Sequence, residues 1–131
     1  MDDFYRENIL DHYKNPRYKG AIENSNYHFE DENPLCGDFL HIELLVNNEG
    51  FIADAKFQGQ GCAISMASAD MLMEAIIGKP LEDIKKLNKQ DILDLLGIEL
   101  SPVRLKCALL SLKVAKAAVY ELSEAGDDLT E

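Results

Sequence analysis

The chain has 131 residues, with 13 Lys and Arg against 24 Asp and Glu, a formal net charge of −11 and a pI near 4.6. That acidity works against non-specific nucleic-acid binding, which rests on neutralising phosphates. Hydrophobic residues at 47% and charged residues at 28% fit one ordinary globular domain over residues 1–131 and exclude wholesale disorder, and no stretch supplies the roughly 20 apolar residues of a membrane span.

In chain order, Asp3 to Tyr13 places Phe4, Ile9, Leu10 and Tyr13 on a short amphipathic helix that Asn15-Pro16 stops. The two acids near the start, Asp2 and Asp3, stand where a signal peptide would be basic, which predicts a cytoplasmic protein. A polar stretch follows, with one edge strand near Tyr27 to Phe29. Phe39 to Val46 and Phe51 to Phe57 read as two strands of a hairpin around Asn47-Asn48-Glu49-Gly50. Gln58-Gly59-Gln60-Gly61 reads as a flexible glycine loop leading into a helix. That helix starts at Cys62 and is closed by Gly78 and Pro80. Leu81 to Leu87 and Asp91 to Leu96 are short helices. Ser101-Pro102 opens the last helix, whose apolar face holds Leu105, Leu109, Leu112 and Val119. Helix, then strands, then helices predicts an α+β fold. The acidic residues of about 122–131 are expected to fray.

Three cysteines, Cys36, Cys62 and Cys107, are an odd number and too widely spread for a disulfide framework. Each falls at a junction of elements. Cys36 lies on a turn between Pro34 and Gly37, with Asp38 two residues on. Cys62 and Cys107 lie near helix N-termini, where unpaired N–H groups favour a thiolate. Arg104 and Lys106 add positive charge beside Cys107. Three such cysteines and one carboxylate make a four-ligand site of type Cys₃Asp, open to zinc or to an iron–sulfur cluster. The spacing is unlike the Cys-x-x-Cys knuckles of structural zinc, so three unrelated core thiols are an equally good reading at this level.

These residues also carry a resemblance. The chain resembles the iron–sulfur cluster scaffold family of IscU, SufU and the N-terminal domain of NifU. The similarity runs from Ile9-Leu10-Asp11-His12-Tyr13-Lys14-Asn15-Pro16-Arg17 to the last helix. Its most specific pieces are Asn33-Pro34-Leu35-Cys36-Gly37-Asp38, Gly61-Cys62-Ala63-Ile64-Ser65 with Ser68, and Arg104-Leu105-Lys106-Cys107. The resemblance implies a small three-stranded antiparallel sheet with helices packed on it, and one exposed site formed by Cys36, Asp38, Cys62 and Cys107. It implies a non-enzymatic scaffold that builds a labile [2Fe–2S] cluster there, or holds zinc in the absence of iron. Sulfur would come as persulfide from a pyridoxal-phosphate cysteine desulfurase, with the three cysteines as acceptors. The cluster would pass to acceptor apoproteins. No nucleic-acid or membrane partner is implied, and whether a cluster bridges two chains of a homo-oligomer is left open.

Two departures bear on this. IscU proteins have histidine immediately before the third cysteine, where this chain has Lys106, as SufU proteins do; yet the Cys62–Cys107 interval is too short for the SufU insertion. Lys106 therefore keeps a second function in view, a SufU-like zinc-dependent sulfur acceptor, and is itself placed to stabilise a thiolate or persulfide at Cys107. Leu100-Ser101-Pro102-Val103-Arg104 stands where IscU has Leu-Pro-Pro-Val-Lys for its Hsp70-type chaperone, which puts chaperone-assisted release in doubt.

The remaining candidates read as structural. His12 beside Asp11 is expected in a structural or surface role, His41 as a sheet histidine rather than a pocket neighbour, and His28 has no evident partner. Met66, Met71 and Met73 are core residues, and Glu30-Asp31-Glu32 is a solvated face. No histidine lies in a motif that would serve a cysteine hydrolase, and Gly59 and Gly61 lack the lysine and serine of a P-loop.

Overall fold

Residues 38–60 double back because the Asn47 side chain closes a tight turn, its Oδ1 accepting the backbone N–H groups of Glu49 and Phe51, both at 3.0 Å. The computed structural model describes residues 2–33 and 37–120. The hairpin strands are β2 (Asp38–Val46) and β3 (Ile52–Gln60), and β1 (Tyr27–Asn33) pairs with the other edge of β2. The sheet is antiparallel in the order β1-β2-β3. Around it lie α1 (Asp2–Lys14), α2 (Ala63–Ile76), α3 (Leu81–Lys85), α4 (Lys89–Leu96) and α5 (Pro102–Tyr120). The predicted α+β architecture is therefore present. The fraying expected for about 122–131 and the turn expected around Cys36 lie outside the described residues.

Strand alternation decides which residues meet the helices. Asp38, Leu40, Ile42 and Leu44 of β2 face inward and are buried, opposite Gly59, Phe57 and Ala55 of β3 where the register pairs them. Phe39, His41, Glu43 and Leu45 face the other way. α2 and α5 cover the inner face, and α1 packs on α2.

Several expectations change. β1 runs through Glu30-Asp31-Glu32 to Asn33 instead of ending near Phe29, and Asp31 is no solvated acid. It points inward and meets the Lys113 ammonium of α5 at 3.1 Å. Gln58-Gly59-Gln60 is strand rather than flexible loop. Gly59 sits so close to the Phe39 carbonyl that a Cβ would collide with it, so glycine serves close approach and not mobility. In α5 the half-buried Leu105 and Leu109 mark no single apolar face. From Cys107 to Val119 the helix is buried nearly all round, because the sheet, α2, α3 and α4 enclose it.

The capping chemistry of α4 fixes its position. Asn88 and Asp91 form a reciprocal capping box, and the helix ends at Gly97 with φ +72° beneath the ring of Tyr5. A side chain at Gly97 would strike that ring.

His12 has the structural role expected, through a buried hub. Its Nδ1 lies 2.6 Å from Asp70 Oδ2, while Asp70 Oδ1 accepts the backbone N–H groups of Arg17 and Tyr18 at 2.9 and 2.8 Å. Asp70, fully buried on α2, thus ties down the chain leaving α1. Asp70→Ala leaves those donors without their acceptor and is expected to lower stability by about 3–5 kcal/mol, read from urea unfolding.

On the outer face, Glu43 accepts the Ile22 backbone N–H at 2.7 Å and meets His41 at 3.0 Å. The Ile22 N–H, and after it the His41 imidazole, hold the Glu43 carboxyl below the usual range. A carboxylate whose folded pKa is depressed adds stability above its unfolded pKa and loses it as pH falls through the folded one. Glu43→Gln is therefore expected to destabilise the protein near neutrality, and that difference should vanish in unfolding curves recorded well below the ordinary glutamate pKa of 4.5.

Candidate metal centre

β2 begins where α2 begins, and this junction assembles the site. α2 takes Cys62 as N-cap residue, in extended conformation at φ −72° and ψ 169°, with no cap hydrogen bond from its own side chain. The cap comes instead from Asp38, whose Oδ1 accepts the Cys62 backbone N–H at 3.2 Å. Gly61 makes that approach possible, because a Cβ there would occupy the space of Ser65 Oγ and Asp38 Oδ1. Asp38 is only 2% exposed, so its carboxylate is a buried group turned toward the N-terminus of α2.

Cys62 is half-buried, and its Sγ lies 3.9 Å from Asp38 Oδ2 and 3.8 Å from Ser65 Oγ. Burial pushes the thiol up, and the Asp38 carboxylate adds to that. Hydrogen bonds from the Ser65 N–H and hydroxyl, with the Ile64 N–H, outweigh both and hold it below the usual thiol value. Ser65 was legible only as a motif residue. Its one hydroxyl proton is shared between the Cys62 sulfur and the Cys62 carbonyl, which lies 3.1 Å from Oγ in the first turn.

The third donor comes from α5. Cys107 lies beyond the first turn of that helix and is 1% exposed, so the partly exposed N-terminal setting predicted for it does not hold. Ser68 Oγ donates to the Ser65 carbonyl at 3.0 Å and approaches the Ala108 carbonyl at 3.4 Å, which joins α2 to α5 beside this cysteine. One ligand atom each from Asp38, Cys62 and Cys107 lies within 4.8 Å of the others. Strand, helix N-terminus and second helix thus converge on one point. Cys36 lies outside the described residues.

The donor chemistry fits a thiophilic cation. Tetrahedral zinc with bonds of about 2.0–2.3 Å spaces its ligand atoms roughly 3.3–3.8 Å apart, so these groups need move by an ångström or less. The site is less open than the resemblance implied. Among the described donors Asp38 and Cys107 are buried, and Cys62 alone reaches toward solvent. Lys106 is exposed and turned into a surface cleft lined by Asn88, Gln90, Pro102 and Leu109, on a different side of α5 from Cys107. His41 is three positions from Asp38 on the same strand but faces the opposite side of the sheet, so it is no neighbour of this pocket.

Comparison with known proteins places the chain. The family model described as "NifU-like N terminal domain" matches residues 4–126. The zinc-dependent sulfurtransferase SufU of Bacillus subtilis is 38% identical, over 91% of this chain and 91% of its own length. The iron–sulfur cluster assembly scaffold protein IscU of Escherichia coli K12 is 37% identical, over 89% of this chain and 92% of its own. A crystal structure of SufU from Fervidobacterium islandicum superposes with a TM-score of 0.75 at 32% identity, covering 86% of this chain and 94% of that one. The N-terminal part of a NifU-like protein from Brucella abortus, at 19% identity and a TM-score of 0.72, shares the fold. The chain belongs to the NifU-like N-terminal domain family, the iron–sulfur cluster scaffold family that includes IscU and SufU.

Proposed function

We propose that this protein is a scaffold on which a labile [2Fe–2S] cluster is assembled, as cargo, by Cys36, Asp38, Cys62 and Cys107. The convergence of Asp38, Cys62 and Cys107 within 4.8 Å is the observation that carries this reading. A cysteine desulfurase supplies the sulfur. A thiolate of this chain attacks the outer sulfur of the donor's persulfide, the donor S–S bond breaks, the donor cysteine leaves as thiolate, and the persulfide now sits on the scaffold. Cys62 suits this step: it is the more accessible of the two described cysteines, and its thiol is held below its usual pKa. Asp38 supplies an oxygen ligand, which binds iron less tightly than thiolate and so keeps the cargo exchangeable. The finished cluster passes to acceptor apoproteins.

Anaerobic incubation with iron, cysteine, a desulfurase and a dithiol reductant, which takes the persulfide sulfur down to sulfide with two electrons, should give thiolate-to-iron charge-transfer bands, and Cys62→Ser should abolish them. Bands that survive Cys62→Ser unchanged would reject the scaffold assignment. Asp38→Ala should give a longer-lived cluster, together with a loss of about 0.5–2 kcal/mol in unfolding experiments because α2 loses its cap.

A second reading rests on Lys106. A protonated lysine is no ligand, so this chain lacks the histidine that IscU proteins offer beside the third cysteine. In that reading the site holds zinc, which keeps bound thiols deprotonated, and the protein acts as a sulfur acceptor for the desulfurase. The zinc-loaded protein should then raise desulfurase turnover, and chelation should remove the effect while circular dichroism stays unchanged. Turnover unaffected by the zinc form would leave the cluster scaffold as the standing reading.

A further inference from the structure

The two described thiols of the candidate centre are unequal in a way that holding an ion does not require. Cys62 is half-buried and reaches toward solvent, whereas Cys107 is 1% exposed. Their sulfurs nevertheless lie within 4.8 Å of each other. A bulky persulfide donor can therefore reach Cys62 and not Cys107. A [2Fe–2S] cargo holds two sulfides, so a scaffold must take in two sulfurs, and among the described residues one thiol is open to receive them.

The separation of the sulfurs decides what the inner thiol can do. The S–S bond of a persulfide is about 2.05 Å long. With three sulfurs in line, an outer sulfur on Cys62 stands about 3 Å or less from Cys107 Sγ, close enough for attack. Thiolate is the nucleophile in such an exchange. The other groups beside Cys62 Sγ are oxygens, Asp38 Oδ2 at 3.9 Å and Ser65 Oγ at 3.8 Å, and neither competes for a soft sulfur centre. The spacing is set by the fold. Asp38 caps α2 through the Cys62 N–H, and Ser68 bridges the Ser65 and Ala108 carbonyls, tying α2 to α5 beside Cys107.

We propose that Cys107 is the second station of a sulfur relay, in which a persulfide received at Cys62 passes inward and leaves Cys62 open for the next sulfur. This rests on the reading of the chain as a persulfide-accepting scaffold. Cys107 Sγ attacks the outer sulfur on Cys62, and a new S–S bond forms to Cys107. The bond to Cys62 Sγ breaks, and Cys62 leaves as thiolate and takes up the proton that Cys107 gave up. One S–S bond replaces another, so the step needs no oxidant or reductant. The transferred sulfur then sits on a buried residue, shielded from thiols in solution.

The test uses the full chain, stripped of metal and kept without oxygen, with glutathione persulfide as the sulfur donor. Samples are quenched with an alkylating denaturant at successive times, and peptide mass spectrometry locates the added sulfur. Sulfur should appear on Cys62 first and on Cys107 afterwards, and a second equivalent should reload Cys62. Cys62→Ser should lose the labelling of Cys107, and Cys107→Ser should hold the sulfur on Cys62. The order of labelling in the unaltered chain tests the relay without any substitution in the core. Failure of the scaffold reading would appear separately, as sulfur reaching both cysteines while added iron and a dithiol reductant give no charge-transfer bands. Four outcomes overturn the relay: sulfur that stays on Cys62, sulfur that reaches Cys107 only by way of Cys36, labelling of Cys107 at an undiminished rate in Cys62→Ser, or a Cys62–Cys107 disulfide formed with release of sulfide.

Discussion

The buried carboxylate of Asp38 is what the geometry around the candidate centre turns on. It occupies the first inward position of β2, caps the N-terminus of α2 through the Cys62 N–H, and stands 3.9 Å from the Cys62 sulfur. One side chain therefore fixes strand to helix and helix to thiol. Without a cation, the carboxylate opposes ionisation of the neighbouring thiol, while Ser65 and the start of α2 favour it. The two tendencies meet at Cys62, and a bound cation resolves them by attracting both negative groups. The same ion would then draw on the carboxylate that caps α2. Binding at this point is coupled to the integrity of the helix start through a single hydrogen-bond acceptor.

Gly59 and Gly61 make that coupling possible, and they do so by their lack of a side chain. Gly59 lets β3 close on the Phe39 carbonyl, and Gly61 lets Asp38 and Ser65 share the space a Cβ would take. From sequence, glycines before a helix are most simply read as flexibility, because close approach and mobility leave the same local signature. The hairpin was legible because Asn47 to Gly50 is a turn by local chemistry alone. Cys62 was placed correctly for the same reason, since the switch from strand to helix lies at that residue. Cys107 was placed less well: a proline-led helix start was visible, but the enclosure of α5 on all sides depends on α2, α3, α4 and the sheet. The Asp70 hub and the Asp31–Lys113 pair were invisible, because each joins residues distant in sequence and carries no periodicity.

Alternation along β2 divides the chemistry of the molecule. Asp38 faces inward to the thiolates, and His41, three residues later, faces outward to imidazole and carboxylates. An odd separation on a strand puts two potential ligands on opposite faces, where they cannot share an ion. The sheet itself keeps the His41 imidazole from the thiolates, and on the outer face it meets Glu30 at 3.4 Å and Glu43 at 3.0 Å instead. The inner site, with its sulfur donors, suits ions that tolerate thiolate.

The similarity to SufU and IscU is nearly equal, at 38% and 37% identity, so overall resemblance does not decide between sulfur acceptor and cluster scaffold. The decision falls to local chemistry around Cys107. A histidine at position 106 would offer a neutral nitrogen acceptor, whereas lysine offers three donors and no acceptor while protonated. Lys106 also lines a cleft with the Asn88–Gln90 segment, apart from the buried Cys107. Among the described residues Asp38, Cys62 and Cys107 offer one carboxylate and two sulfurs, a set of three that leaves a position for a further ligand. Exchange, rather than permanent retention, is the behaviour that such a donor set favours.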